Sequence, residues 1–296
     1  MVYIKCIVRR LRNRNGFKHP WWAIILGTLL LFSLPVISYG GQYPLWEAGL
    51  GATGLTMPDY RGSDESRYYV FPYPYIIYRG DMLKIDGEDI RGFLLKTDRL
   101  NLDVSGNGSA PVKSTDNKAR RGMSDLDPTF EIGPSLEVLV SQNKEKTYKI
   151  SLSFPARALF STNFSEVIYQ GWIFNPRLNM EMIKRVPGGD WNWGIELGPV
   201  WGDQGYHDYY YRVDPAFAIP GRPAYSPQGG YSGLQMTTYI GKRFKGWKLS
   251  MFARTDFLNG AVFSDSPLVK TNTSILAGFA ISYLFWTSST MVEADK

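Results

Sequence analysis

The chain has 296 residues, with 33 Lys and Arg against 27 Asp and Glu, two His and one Cys. Six of the cations and no acidic residue lie in the first forty positions, so the formal charge of +6 belongs to that segment and the remainder is neutral. A nucleic-acid partner recognised through a basic surface is thereby excluded. So is a disulfide scaffold, because the single cysteine, Cys6, lies in the same segment.

Residues 1–40 read as a secretory signal peptide. Lys5, Arg9, Arg10, Arg12, Arg14 and Lys18 precede an apolar stretch from Trp21 to Ile37. Ser38-Tyr39-Gly40 then sets small residues three before and one before a cut at Gly40/Gly41. The apolar stretch, about 17 residues, is at the low end for crossing a bilayer, which favours cleavage over an uncleaved inner-membrane anchor. The flanks of Arg9-Arg10 fit twin-arginine export poorly, so Sec export is expected.

From residue 41 onward the dominant pattern has period two, as a strand with two unlike faces requires. Tyr148, Ile150, Leu152 and Phe154 alternate with Lys149, Ser151, Ser153 and Pro155. Trp172, Phe174, Leu178, Met180 and Met182 alternate with residues that include Arg177 and Glu181. Trp191, Trp193, Ile195, Leu197, Pro199 and Trp201 alternate with Asn192, Gly194, Glu196, Gly198 and Val200. Trp247, Leu249 and Met251 alternate with Lys248, Ser250 and, further on, Arg254 and Asp256.

These runs exceed the usual 5 or 6 residues of soluble strands. Trp191 and Trp201 are about 34 Å apart along an extended strand, roughly 24 Å of height at a tilt of about 45°. That height matches the lipid-facing band, with aromatic girdles, of an outer-membrane barrel. A soluble β-sandwich explains neither the run lengths nor the aromatic ends.

The expected fold is all-β: a transmembrane antiparallel up-and-down barrel over 41–285. Strands are expected near 46–57, 68–79, 82–86, 90–97, 100–106, 126–140, 147–160, 166–184, 191–202, 231–244, 247–258 and 274–285. Twelve is an even number, as single-chain bacterial barrels require. Ten is the alternative if the short strands of 82–106 merge. With both termini in the periplasm, the short connections 80–81, 98–99, 141–146, 185–190 and 245–246 fall on that side, while the shorter 87–89 and 161–165 fall outside. The long connections 58–67, 107–125, 203–230 and 259–273 fall outside. Ala277, Phe279, Ile281, Tyr283 and Phe285 resemble the C-terminal signal read by outer-membrane assembly machinery, and 286–296 follow as a periplasmic tail.

The segment Asp59-Tyr60-Arg61-Gly62-Ser63-Asp64, with the Pro72-Tyr73-Pro74-Tyr75 strand after it, resembles the MltA-interacting protein / OmpV family. The likeness continues at Thr97-Asp98-Arg99-Leu100, Gly122-Met123-Ser124-Asp125-Leu126-Asp127-Pro128, Gly221-Arg222-Pro223-Ala224-Tyr225 and Ile281-Ser282-Tyr283-Leu284-Phe285. The residues after Phe285 depart from the family's usual ending. The resemblance implies an outer-membrane barrel of a Gram-negative bacterium. It also implies a scaffold joining a murein lytic transglycosylase to a penicillin-binding protein. Other members have been linked to adhesion, osmotic adaptation and drug susceptibility.

Catalysis finds little support. Beyond residue 40 the one histidine is His207, in a long loop and expected to be solvated, with Ser226 and Ser232 near it only in sequence. Transition-metal sites need Cys and His that this region lacks. Asp81, Asp86, Glu88 and Asp89 lack the order of a calcium loop and read as a hairpin turn. No cofactor is expected.

The 59–64 loop is read as folding inward to plug the mouth, with Arg61 paired to Asp64 or Glu65; a recognition loop is the other reading. Lys149, Arg157, Arg177, Glu181, Glu196, Arg254 and Asp256 are expected to share the lumen. Their mixed charges can pair and fill a narrow bore, or line a channel for a small polar solute. A periplasmic partner surface would draw on Arg185, Asp190, Lys245 and Trp286. An outward-facing adhesin would use 203–230, with Tyr206, Tyr209, Tyr210, Tyr211 and Tyr225.

Overall fold

The computed structural model describes residues 42–293 apart from 81–82, 87–89 and 188. The expected signal peptide lies outside the described residues, as do most of the acidic residues of the 81–89 hairpin and the last three of the tail.

The strands in chain order are β1 (Gln42–Pro44), β2 (Trp46–Pro58), β3 (Ser66–Arg79), β4 (Leu83–Asp86), β5 (Ile90–Lys96), β6 (Leu100–Ser109), β7 (Thr129–Gln142) and β8 (Tyr148–Thr162). They continue with β9 (Val167–Phe174), β10 (Arg177–Lys184), β11 (Asp190–Gly202), β12 (Gly230–Phe244), β13 (Trp247–Phe257), β14 (Thr273–Thr287) and β15 (Met291–Glu293). One helix, α1 (Gln204–Tyr211), lies between β11 and β12.

All pairings are antiparallel; β2 to β9 and β10 to β14 each pair with their sequence neighbours, and β14 pairs with β2. Both β8 and β11 pair with β9 and with β10, which closes the ring. β9 and β10 are therefore two halves of one strand, and the described residues form a barrel of twelve staves. β4, β5 and β6 remain separate, so the ten-strand alternative does not hold.

The break between β9 and β10 falls at Asn175-Pro176, because proline has no N–H to give the ladder. Asn175 repairs the gap: its backbone N–H donates to the Pro155 carbonyl at 3.2 Å, and its side-chain amide to the Pro199 carbonyl at 2.9 Å.

The alternation is realised as two faces. Trp191, Ile195, Leu197 and Trp201 of β11 are exposed, while Gly194, Gly198 and Val200 are buried on the lumen side. Aromatic rings lie flat where the wall has no side chain: a Cβ at Gly194 would come within 2.5 Å of the Tyr239 ring.

Two features go beyond the expected strands. β14 runs to Thr287, with a bulge between Leu284 and Trp286 that turns Phe285 and Trp286 both outward. Further on, β15 pairs with β1 as a separate two-stranded ribbon beside the end where the short turns lie. Of the described residues after Phe285, 286–287 and 291–293 are strand. The other end carries the long connections.

Candidate functional site: a capped mouth over a lumen of paired charges

The long connections pack on one another. Tyr60, Val112, Leu126, Tyr211, Val213, Leu258, Ala261, Phe263 and Leu268 form a buried apolar cluster drawn from four different loops. Tyr211 stacks on Phe263 with ring centroids 3.7 Å apart. The 59–64 segment is built into this cap. Tyr60 donates its hydroxyl to the Leu268 carbonyl at 2.8 Å, and Asp59 accepts from Arg67 at 2.6 Å and from Asn117 at 2.8 Å. Ser63 Oγ accepts from the Glu65 amide, and Asp64 is exposed. Gly62 stands at φ 93°, a conformation that favours glycine, and its carbonyl accepts from the amides of Lys270 and Thr271.

Arg61 does not pair with Asp64 or Glu65. Its Nε lies 3.0 Å from Asp256 Oδ1 on β13, and its Nη2 donates to the Ser232 carbonyl on β12 at 2.7 Å. Burial works against its charge, but Asp256 together with the neighbouring Tyr211 and Tyr206 outweighs that and holds the guanidinium protonated. Glu65 instead accepts from the amide of Lys118.

The loop 203–229 also turns inward, contrary to the expectation of an exposed aromatic surface. Asp203 caps α1 by accepting from the Tyr206 amide at 2.8 Å, so the helix starts against β9. Gly171 of β9 permits this approach: at φ 135°, a Cβ there would sit 2.2 Å from Asp203 Oδ1. Tyr206 packs on Leu159, Ile173 and Val200, which point inward from three staves. Tyr209 donates to the Asp127 carbonyl at 2.8 Å and Tyr211 to the Arg61 carbonyl at 2.9 Å. Burial pushes the Tyr210 phenol up to about 12 and the Tyr211 phenol higher. Tyr225 is partly exposed, and its hydroxyl donates to the Val262 carbonyl at 3.3 Å.

His207 is fully buried rather than solvated. Its Nε2 meets Ser232 Oγ at 2.6 Å and its Nδ1 meets the Gln228 carbonyl at 2.6 Å. Burial lowers its pKa, so the neutral imidazole uses both nitrogens as cross-links. Ser232 is equally inaccessible and Ser226 is exposed. The pair therefore offers no hydroxyl to a substrate. Among the described residues no group of three His, Cys, Asp or Glu is placed to hold a metal ion.

The 221–225 segment, which also carries the family likeness, has the same role. Arg222 donates to the carbonyls of Ala119 and Arg121 at 3.0 and 2.9 Å and to that of Phe217 at 2.8 Å, stapling two loops. Arg120 donates to the carbonyls of Tyr210 and Ser124. Thr97 Oγ1 accepts from the Leu100 amide at 2.9 Å in a short turn.

Below the cap, the inward charges pair across neighbouring staves or, for Arg254 and Asp256, along β13 itself. Arg157 meets Glu131 at 2.9 Å, Arg177 meets Glu196 at 2.7 Å, and Arg254 meets Asp256 at 3.2 Å. Lys149 meets Glu137 at 2.5 Å and Glu181 at 3.8 Å. All seven lumen charges read from the sequence are thus brought into pairs. Their partners Glu131 and Glu137 carry the same alternating signal in β7.

At the short-turn end, Glu47 is fully buried between Arg79, at 2.7 Å, and Arg243. Arg79 also donates to the Pro44 carbonyl and lies over the Tyr43 ring at 5.3 Å. Tyr43 reaches Asp190 across the end of the barrel. Lys245 is exposed in a two-residue hairpin with Gly246, both at positive φ. Arg185 leads into the 185–189 turn. Trp286 is 64% exposed on the outer wall, part of an aromatic girdle with Phe285, Tyr283 and Trp247. It is strand, not tail.

No helix among the described residues is long and apolar enough to cross a membrane; the strands would make the crossing. The closed sheet, apolar outer face, aromatic girdles and charge-paired lumen define an outer-membrane β-barrel. The model of the family described as MltA-interacting protein MipA matches residues 50–285, and the chain belongs to that family. Among curated proteins none matches this sequence.

Solved structures resemble it only distantly. A bacterial polysaccharide outer-membrane secretin is 9% identical with a TM-score of 0.41, covering 81% of this chain and 99% of that one. OprB of Pseudomonas putida is 8% identical with a TM-score of 0.36, covering 81% and 94%. The outer-membrane protease OmpT of Escherichia coli is 8% identical with a TM-score of 0.29, covering 86% and 99%. None of these lends the chain a ligand or an activity.

Proposed function

We propose that this protein is a closed, non-enzymatic barrel that acts as a periplasm-facing scaffold for murein enzymes. The observation that carries the reading is the use of the interior. The cap packs across the long-loop mouth and the inward charges below it are paired, which leaves the short-turn end as the working surface. The family name specifies a partner, MltA, a murein lytic transglycosylase; a penicillin-binding protein would be the second partner.

In this reading the chain is exported by the Sec route, residues 1–40 are removed, and the short-turn end faces the periplasm. Arg185, Lys245 and the β1–β15 ribbon form the docking face. Short turns alone supply little of the roughly 800 Å² per partner that a specific interface buries; the ribbon enlarges the face. Asp190 holds Tyr43 in place, and Trp286 contacts lipid instead of a partner.

The test is co-purification of the full barrel with a murein lytic transglycosylase. A variant with β15 removed by truncation after Ser288 should lose the partner while retaining the barrel's heat-modifiable mobility in gels. Unchanged recovery would refute this docking face. A narrow channel is the second reading, favoured only by the polar character of the lumen.

A further inference from the structure

We propose that the outer wall at the short-turn end holds the phosphodiester headgroup of an anionic phospholipid, bound by Lys184 and Lys242 on either side of Trp191. The register places the three residues in one row: Trp191 pairs with Lys184 of β10 on one side and with Lys242 of β12 on the other. Directly paired residues of an antiparallel sheet share a face, and Trp191 is exposed on the outer one. The two lysines are two strands apart, about 10 Å.

Lys242 is laid over the wall. Its Nζ sits 4.7 Å from the Trp191 ring centroid and 5.7 Å from that of Phe244. Its stem thus covers apolar surface while its head reaches the interface. Neither lysine has a carboxylate within ion-pair distance among the described residues. The two acidic side chains closest in register are used elsewhere: Glu181 faces Lys149, and Asp190 accepts from Tyr43.

This contrasts with the lumen, where each charge discussed above has an opposite neighbour. Two lysines without carboxylate partners, flanking an indole in register near the ends of lipid-facing strands, complement one net-negative phosphodiester. A zwitterionic headgroup would bring its own ammonium and gain less. The site is separate from the proposed partner face, so either can fail alone.

The test is native mass spectrometry of the full barrel, titrated in detergent with phosphatidylglycerol or phosphatidylethanolamine of matched chains. Phosphatidylglycerol should be retained about tenfold better, on the scale of one or two lysines near a headgroup. The Lys184→Gln/Lys242→Gln variant should erase that preference, while Lys144→Gln/Lys146→Gln, in a turn beyond the wall, should leave it intact. Equal retention of both lipids, or equal loss in both variants, would overturn the proposal. Preference for lipid A phosphates over phosphatidylglycerol would also overturn it.

Discussion

Arg61 and Asp256, 195 positions apart, meet at 3.0 Å and tie the first long loop to the barrel wall. Asp256 also receives Gln235 at 2.8 Å and Arg254 at 3.2 Å, so one carboxylate organises a loop and two staves. Asp256→Asn leaves Arg61 buried without its counter-charge. Removing one partner of a buried pair costs about 3–5 kcal/mol, and denaturant unfolding of the refolded barrel should show a loss of that order. Replacing both residues, Arg61→Met with Asp256→Leu, should recover part of it, since Arg254 then loses its own counter-charge.

Arg222→Lys keeps the charge but loses the planar fork that reaches three carbonyls in two loops. The loss of cap stability should be about 1–3 kcal/mol. Limited proteolysis would read it as faster cutting within 110–128 and 203–229, with the barrel fragment still protected.

His207 makes the cap sensitive to acid. Burial lowers its pKa, with Arg61 acting in the same direction and Asp203 and the Gln228 carbonyl opposing. The unfolded cap takes up a proton below about pH 6.5 that the folded cap resists. The contribution of His207 is therefore complete above that pH and lost as pH falls through the lower folded value. Cap protection, followed by hydrogen exchange of residues 204–211, should weaken between pH 7 and pH 5. His207→Asn should flatten the dependence.

A filled lumen should conduct poorly. In planar bilayers the intact protein should give steps far smaller than those of an open porin. A variant with 204–229 replaced by a short Gly/Ser connection should give larger ones, since α1 and its tyrosines no longer occupy the mouth.

The staves were legible because a two-faced strand must alternate, and Trp191 to Trp201 shows that without help from other parts of the chain. The interruption at Pro176 was less visible, since a missing donor does not disturb the alternation on either side. The β1–β15 ribbon escaped notice because three-residue strands carry no period. Of the cap, only the inward fold of the 59–64 loop is legible in the sequence. The cap's loops lack periodicity, and its contacts join positions far apart, as when Tyr60 donates to the carbonyl of Leu268. Arg61 was assigned to neighbours in sequence for the same reason. The helix α1 has a capping Asp203, but Gly171, which makes room for it, is remote in the chain. The segments that carry the family likeness turn out to build the cap, a short turn and the wall strands β3 and β14, which explains why they announce a fold more clearly than a chemistry.

The most direct test of the scaffold account is photo-crosslinking in living cells from single positions on opposite ends of the barrel. Probes at Arg185 and Lys245 should capture a murein lytic transglycosylase, and probes at Arg121 and Asp265 on the cap should not. Capture of that enzyme from the cap positions alone, or from none of the four while the purified barrel passes porin-sized currents, would contradict it.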